Sequence, residues 1–187
     1  NDIIEGGAGN DVIMGGDGSN LAVFAGDQSN YTFASSPDGL TITVTDTVND
    51  YVDTVTGIET LRFDNGDIYV SQDANGLVLM GGAGDDTITV VGPVPVKLIG
   101  DDGNDTIYSS SDADIVSGDD GDDTIYSGSG ADIVSGDDGD DTIYSGSGAD
   151  TVSGDDGNDT IYGGAGADTI SGDDGNDTIY GGEGDDT

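Results

Sequence analysis

The sequence predicts an all-β chain: a parallel β-solenoid that coils two nine-residue repeats per turn and is interrupted once by a β-rich insert. Three observations predict it. From Gly100 onward the chain divides into consecutive nonapeptides, each opening on Gly, Asp, Asn or Ser and closing on a short β-prone triplet. Position 8 of these copies is Ile or Val, and position 6 is Asp. The finer period is eighteen: GDDGDDTIYSGSGADIVS, residues 118–135, recurs at 136–153 with Thr151 for Ile133 as the single change.

Each part of a repeat has a physical role. The first six residues form a turn, because Gly accepts φ > 0 and Asp or Asn tolerates the left-handed region. The next three, such as Thr124, Ile125 and Tyr126, form a short strand of high β-propensity. Alternation along the strand points position 8 inward and positions 7 and 9 outward. Ile107, Val116, Ile125, Val134, Ile143, Val152, Ile161, Ile170 and Ile179 therefore stack as an interior ladder. Odd repeats occupy one side of the coil and even repeats the other. The Ile133/Thr151 difference falls at an outward position. Further copies stand at residues 81–89 (GGAGDDTIT), from Gly6 (GGAGNDVIM) and from Gly15 (GGDGSNLAV). NDIIEGGAGND, at the start, reads as the middle of a repeat, so the chain is expected to be a piece of something longer.

Composition narrows the function classes. Of 187 residues, 40 are acidic and two basic, Arg62 and Lys97, giving a net charge of −38. Such self-repulsion opposes compaction and draws in cations. It also argues against a nucleic-acid partner, which needs Lys and Arg contacts. With no Cys and no His, there is no disulfide framework, no thiolate site and neither of the usual zinc ligands. No apolar run has membrane-spanning length, so membrane insertion is not expected.

Three stretches follow: N-terminal repeats at 1–23, a β-rich insert or cap at 24–80, and the main solenoid at 81–187. In the insert, the alternation of LTITVTDT, the SPDG turn signal and the run ending in IETLRF read as hairpin material. It carries no recognisable metal motif. Arg62 is expected to pair with a nearby acid such as Glu59.

The nonapeptides resemble the RTX calcium-binding family, whose repeat is G-G-x-G-x-D-x-U-x with U apolar. The insert resembles a segment found beside RTX arrays in large secreted bacterial proteins. The resemblance implies a right-handed parallel β-roll with Ca2+ held between the turns of adjacent coils. On that basis Asp105, Asp123, Asp141, Asp159 and Asp177 line one side, and Asp114, Asp132, Asp150, Asp168 and Asp186 the other. Turn carbonyls complete each shell. The candidates are Gly100, Asp102, Gly118, Asp120, Gly136, Asp138, Gly154, Asp156, Gly172 and Asp174 on the first side. On the second they are Ser127, Ser129, Ser145, Ser147, Gly163 and Ala165. Asp86 and Asp11 are candidates in the outlying copies. Five loops per side enclose four gaps, so about eight or more ions are expected.

Elementary chemistry agrees with that implication. One aliphatic side chain buried per nine ordered residues is too little to offset backbone entropy, so the array needs a ligand to fold. Calcium suits carboxylate and carbonyl oxygens in flexible geometry, whereas magnesium keeps its waters and demands an octahedron. Eight dications would reduce the charge of −38 to about −22. Irregular copies are expected to deviate. SSSDAD, 109–114, lacks glycine and should form a distorted site. Asn20 replaces the expected Asp, which weakens a site shared with Asp2. VVGPVPVKLI, 90–99, is one residue long for its slot and lacks Asp, leaving an Asp86–Asp105 site open. At position 2, Asp119 and Asp137 are expected to face solvent.

Two kinds of function compete. The first is a calcium-dependent folding and scaffolding module of a secreted or cell-surface bacterial protein. By resemblance it is exported through type I secretion and folds outside the cell, with any enzymatic chemistry of the parent in another domain, so this chain is read as non-enzymatic. The second is a surface-binding or self-assembling module. It would use the outward Thr/Tyr ladder against a glycan, ice or another subunit, or stack open solenoid ends on identical chains. An acidic, mineral-associated disordered chain is a third possibility, opposed by the regular position-8 aliphatics.

Overall fold

The computed structural model describes every residue except 39, 74 and 75; Gly39 of the SPDG turn therefore lies outside the described residues. In the N-terminal repeats, β1 (Ile3–Glu5) and β3 (Leu21–Val23) pair in parallel on one face, while β2 (Val12–Met14) lies on the other. The insert forms two antiparallel meanders. One holds β4 (Tyr31–Ser35), β5 (Thr41–Asp46) and β6 (Tyr51–Thr56), and the other β7 (Thr60–Arg62), β8 (Asp67–Asp73) and β9 (Gly76–Met80).

In the main array, β10 (Thr87–Thr89), β12 (Thr106–Tyr108), β14 (Thr124–Tyr126), β16 (Thr142–Tyr144), β18 (Thr160–Ala165) and β20 (Thr178–Glu183) make a six-stranded sheet. Opposite them run β11 (Val96–Asp102), β13 (Ile115–Asp120), β15 (Ile133–Asp138), β17 (Thr151–Asp156) and β19 (Thr169–Ser171). Neighbouring coils pair in parallel with each residue opposite its counterpart, Ile107 on Ile125 and Val116 on Val134. The sequence-predicted β-solenoid of two repeats per coil is thus the observed fold.

The insert lies in line with the array. One face runs β1-β3-β7-β8-β9-β11-β13-β15-β17-β19 as a single ten-stranded sheet. The other runs β2-β6-β5-β4 and passes to the residue after β10 through a parallel bridge between Phe33 and Val90. Because each meander has three strands, its outer strands share one direction, and solenoid polarity is the same on both sides. On the second face the chain order is reversed: β4, the first insert strand, lies farthest from β2.

One hydrophobic core threads the whole chain. Ile107, Ile125, Ile143 and Ile161 are each 0% exposed and the intervening Val116, Val134 and Val152 at most 2%. Ile170 is partly buried and Ile179, on the last coil of the chain, is exposed. Within the insert the interior fills with rings: Phe63 stacks on Phe24 at 5.5 Å and lies 4.9 Å from Tyr31. Replacing Ile143 by Ala should cost about 2–5 kcal/mol, because neighbouring coils are too rigidly registered to close the void. Ile133→Thr, at an exposed outward position, should stay within about 0.5 kcal/mol. Thermal unfolding in calcium compares the two.

Two local expectations are corrected. Positions 1 to 3 belong to strands rather than turns in four of the five GDD repeats, as in β13, residues 172–174 being the exception. Asp119 adopts φ 70° and Asp137 φ 71°, yet they remain in register with each other; the left-handed residue bends the strand without ending its pairing. Second, Arg62 pairs with Asp67 rather than Glu59, through Nε at 2.8 Å and Nη2 at 2.6 Å. The β7–β8 register sets Arg62 opposite Asp67, while Glu59 precedes the strand and accepts the Asn20 N–H at 2.7 Å.

Candidate metal centres

Position-6 aspartates are drawn inward because their own backbone and side chain link successive coils. The Asp105 N–H donates to Asp123 Oδ1 at 2.7 Å, Asp123 to Asp141 at 2.7 Å and Asp141 to Asp159 at 2.8 Å. On the other edge, Asp114, Asp132 and Asp150 each donate to the next aspartate at 2.9 Å. The irregular join holds the same bond, Asp86 to Asp105 at 2.8 Å, so the extra residue in 90–99 leaves the ladder intact. Bonds from Asp159 to Asp177 and Asp168 to Asp186, both 3.1 Å, close the two columns.

The second carboxylate oxygen of most of these residues has no partner. Oδ2 of Asp86, Asp105, Asp123, Asp132, Asp141, Asp150, Asp159 and Asp168 is buried without a hydrogen bond. A buried carboxylate oxygen left bare is costly, and a cation is the group that would satisfy it. Glycine at position 1 keeps the space beside it open. A Cβ on Gly118 would strike Asp123 Oδ2 and stand 2.6 Å from the Gly136 carbonyl; on Gly136 it would strike Asp141 Oδ2 and stand 2.7 Å from the Gly154 carbonyl. Gly81 repeats the cradle: a Cβ there would stand 2.5 Å from Asp86 Oδ2 and 2.7 Å from the Gly100 carbonyl. These oxygens fit calcium's preference for carboxylate and carbonyl donors. Among the described residues no group of three or more acidic side chains is placed to hold a metal ion by itself.

Other candidates stand apart. Asp114 is buried, but its Oδ2 accepts from Ser109 Oγ at 2.6 Å and from Ser110 N and Oγ, both at 3.0 Å. In the SSSDAD copy, hydroxyls stand where the other repeats leave an oxygen bare. On that edge the Ser127 and Ser145 hydroxyls donate to the Ser145 and Gly163 carbonyls at 2.6 Å. Position-3 carbonyls already serve the inter-coil ladder: those of Asp102, Asp120, Asp138, Asp156 and Asp174 accept from the glycine of the preceding coil at 2.6–2.9 Å. So do the Ser147 and Ala165 carbonyls, at 2.9 Å. Position-2 carboxylates are engaged rather than only solvated. Ser117 Oγ donates to Asp137, Ser135 Oγ to Asp155, and Ser153 Oγ to Asp173 at 2.6 Å. Asp53 has no place among the sequence-predicted sites, and Glu59 has one only as a partner for Arg62. Both open an acid–Thr–aliphatic triplet, DTV and ETL, like the DTI of the repeats, but without a glycine loop before it.

Burial sets the acidity of the column. It pushes Asp123 and Asp141 up to about 7, with neighbouring carboxylates adding to the rise and backbone hydrogen bonds opposing it. Asp86, Asp105 and Asp132 rise to about 6, again chiefly by burial. A carboxyl with a raised folded-state value binds its proton more tightly folded than unfolded. Without cations, stability therefore grows as pH falls through about 7 toward the ordinary aspartate range near 4. With calcium the sign reverses, because protons compete for the same oxygens. Circular dichroism in chelator should show more β-structure at about pH 5 than at about pH 8, and the opposite trend in limiting calcium.

The family model for the RTX calcium-binding nonapeptide repeat matches residues 1–22, 78–89, 99–134, 117–152, 126–161 and 153–187. A solved structure, the extracellular lipase LipA from Serratia marcescens, is similar at 25% identity and a TM-score of 0.29. The match covers 88% of this chain and 27% of that one, so the chain spans about a quarter of the lipase's length. No curated protein matches the chain. With the repeat model matching well over half of its residues, and those residues folded as parallel coils, the chain belongs to the RTX calcium-binding nonapeptide repeat family.

Proposed function

We propose that this chain is a calcium-dependent folding and scaffolding module of a larger secreted or cell-surface bacterial protein, comprising repeats at 1–23, an insert at 24–80 and the main roll at 81–187. The row of eight buried, unpartnered Oδ2 atoms supports this reading above all. Each would be one carboxylate ligand of an ion shared by two coils. Asp86, Asp105, Asp123, Asp141 and Asp159 would serve one edge, and Asp132, Asp150 and Asp168 the other. Position-1 carbonyls would supply the nearest backbone oxygen. The Asp114–Asp132 gap would bind most weakly, since serines already satisfy Asp114. RTX modules meet calcium after export, and the charge of −38 keeps the unloaded chain extended until then. The carboxylates are committed to a repetitive array, which supports a non-catalytic role. Native mass spectrometry in calcium with excess magnesium tests the proposal: about eight bound calcium ions are expected, and a chain that binds none overturns it.

A second reading concerns the outward Thr/Tyr face. Tyr108, Tyr126, Tyr144, Tyr162 and Tyr180 stack at 4.7–4.9 Å with their planes within 6°, a flat strip suited to the apolar face of a glycan. A Tyr126→Ser/Tyr144→Ser variant that keeps the glycan-array profile of the parent would overturn it.

A further inference from the structure

The aspartate ladder continues past the end of the N-terminal repeats. Strand β6 pairs in parallel with β2, Val12 opposite Thr54 and Ile13 opposite Val55. That register sets Asp53, an insert residue outside the matched repeat segments, beside Asp11. The Asp11 N–H donates to Asp53 Oδ1 at 2.8 Å, as Asp105 donates to Asp123 at 2.7 Å. The adjoining rung is kept as well: the Val52 N–H donates to Asn10 Oδ1 at 2.9 Å, as Asp122 does to Asn104 at 2.9 Å. Asp53 is 7% exposed, and Asp11 Oδ2 is buried with no partner. A Cβ on Gly6 would come within 2.9 Å of that oxygen, so the glycine leaves the same kind of space found beside Asp123.

The neighbouring row supplies an internal contrast. There Asn20 occupies the aspartate slot, and its Oδ1 accepts the Asp2 N–H at 3.0 Å. Its Nδ2 donates to the Gly16 carbonyl at 3.2 Å and the Gly57 carbonyl at 3.1 Å. The amide hydrogens thus reach the carbonyls that a cation would otherwise draw together, and the row is closed by the chain itself.

We infer that Asp11 and Asp53 form a further calcium site, joining the N-terminal repeats to the insert, and that the Asn20 amide makes an ion unnecessary in the adjacent row. This site rests on the calcium reading of the array but is built differently. In place of a following glycine loop, it borders a cavity of about 490 Å³ lined by Gly7, Ala8, Tyr31, Asp46 and Asp53, which leaves room for water to complete the shell.

Native mass spectrometry of the full chain in calcium tests it with three variants. Asp53→Asn keeps an oxygen for the Asp11 N–H and should bind one ion fewer than the parent; Asp11→Asn should lose the same ion. Asn20→Asp restores a carboxylate beside the Gly57 carbonyl and should bind one ion more. A full ion complement in both Asp→Asn variants overturns the Asp11–Asp53 site while the array reading stands. An unchanged count in Asn20→Asp overturns the stand-in role of the amide. A parent chain that binds no calcium overturns both the inference and the array reading.

Discussion

Chelation of calcium at neutral pH is expected to unfold the main array, abolishing most of the far-ultraviolet β signal, and readdition of calcium to restore it. The cause is the column of bare carboxylate oxygens, eight in the array alone, set in a chain of net charge −38. Burying one aliphatic residue per nonapeptide cannot offset both the ordering entropy and that repulsion. Ligand binding to the folded state alone supplies the difference by mass action. Because the ions are shared between adjacent coils, the transition should be steep in calcium concentration. Magnesium at equal concentration should recover far less, since it sheds water reluctantly. Circular dichroism across a calcium titration decides the matter, and a complete β signal in chelator would refute the dependence.

Asp141→Ala is expected to be the most damaging single substitution in the column, and Asp138→Ala, three residues away, nearly silent. Asp141 is 1% exposed, its Oδ1 accepts the Asp123 N–H, and its Oδ2 stands bare beside Gly136. Truncation removes a hydrogen bond to a charged group, about 1.5–3 kcal/mol, together with a carboxylate ligand. At a fixed calcium concentration the folding equilibrium constant should fall about tenfold or more, since each ~1.4 kcal/mol is a factor of ten, and the calcium midpoint should rise by a smaller factor because several ions bind together. The Asp138 side chain is exposed and its backbone carbonyl, which serves the ladder, survives the change; an effect within about 0.5 kcal/mol is expected. Equal midpoints for the two variants would show that position 6 has no special place in calcium binding.

The array was legible from sequence because each repeat position maps to one structural slot. Ile125 inward, Tyr126 outward and Asp123 at the coil edge all follow from alternation and period. The insert was legible only as β-rich material. Its strands pair by long-range register, and β4 lies next to β10 rather than β3, an order that no local pattern encodes. Asp53 was missed for a related reason: it takes the aspartate slot through pairing with β2, without the glycine loop that marks the slot elsewhere. Asp137 shows a third limit. Its type and turn propensity are plain in the sequence, but its partner Ser117 lies twenty residues back, so its engagement depends on coil stacking.

The tyrosine column has an optical consequence. Five phenol rings held parallel at 4.7–4.9 Å are close enough for their electronic transitions to couple, and the coupling exists only between coils already in register. Near-ultraviolet circular dichroism would then follow coil assembly separately from the backbone signal. It would grow as neighbouring rings are brought together and stay silent for an isolated coil. The repeat that positions the carboxylates also writes a spectroscopic record of how many coils have docked.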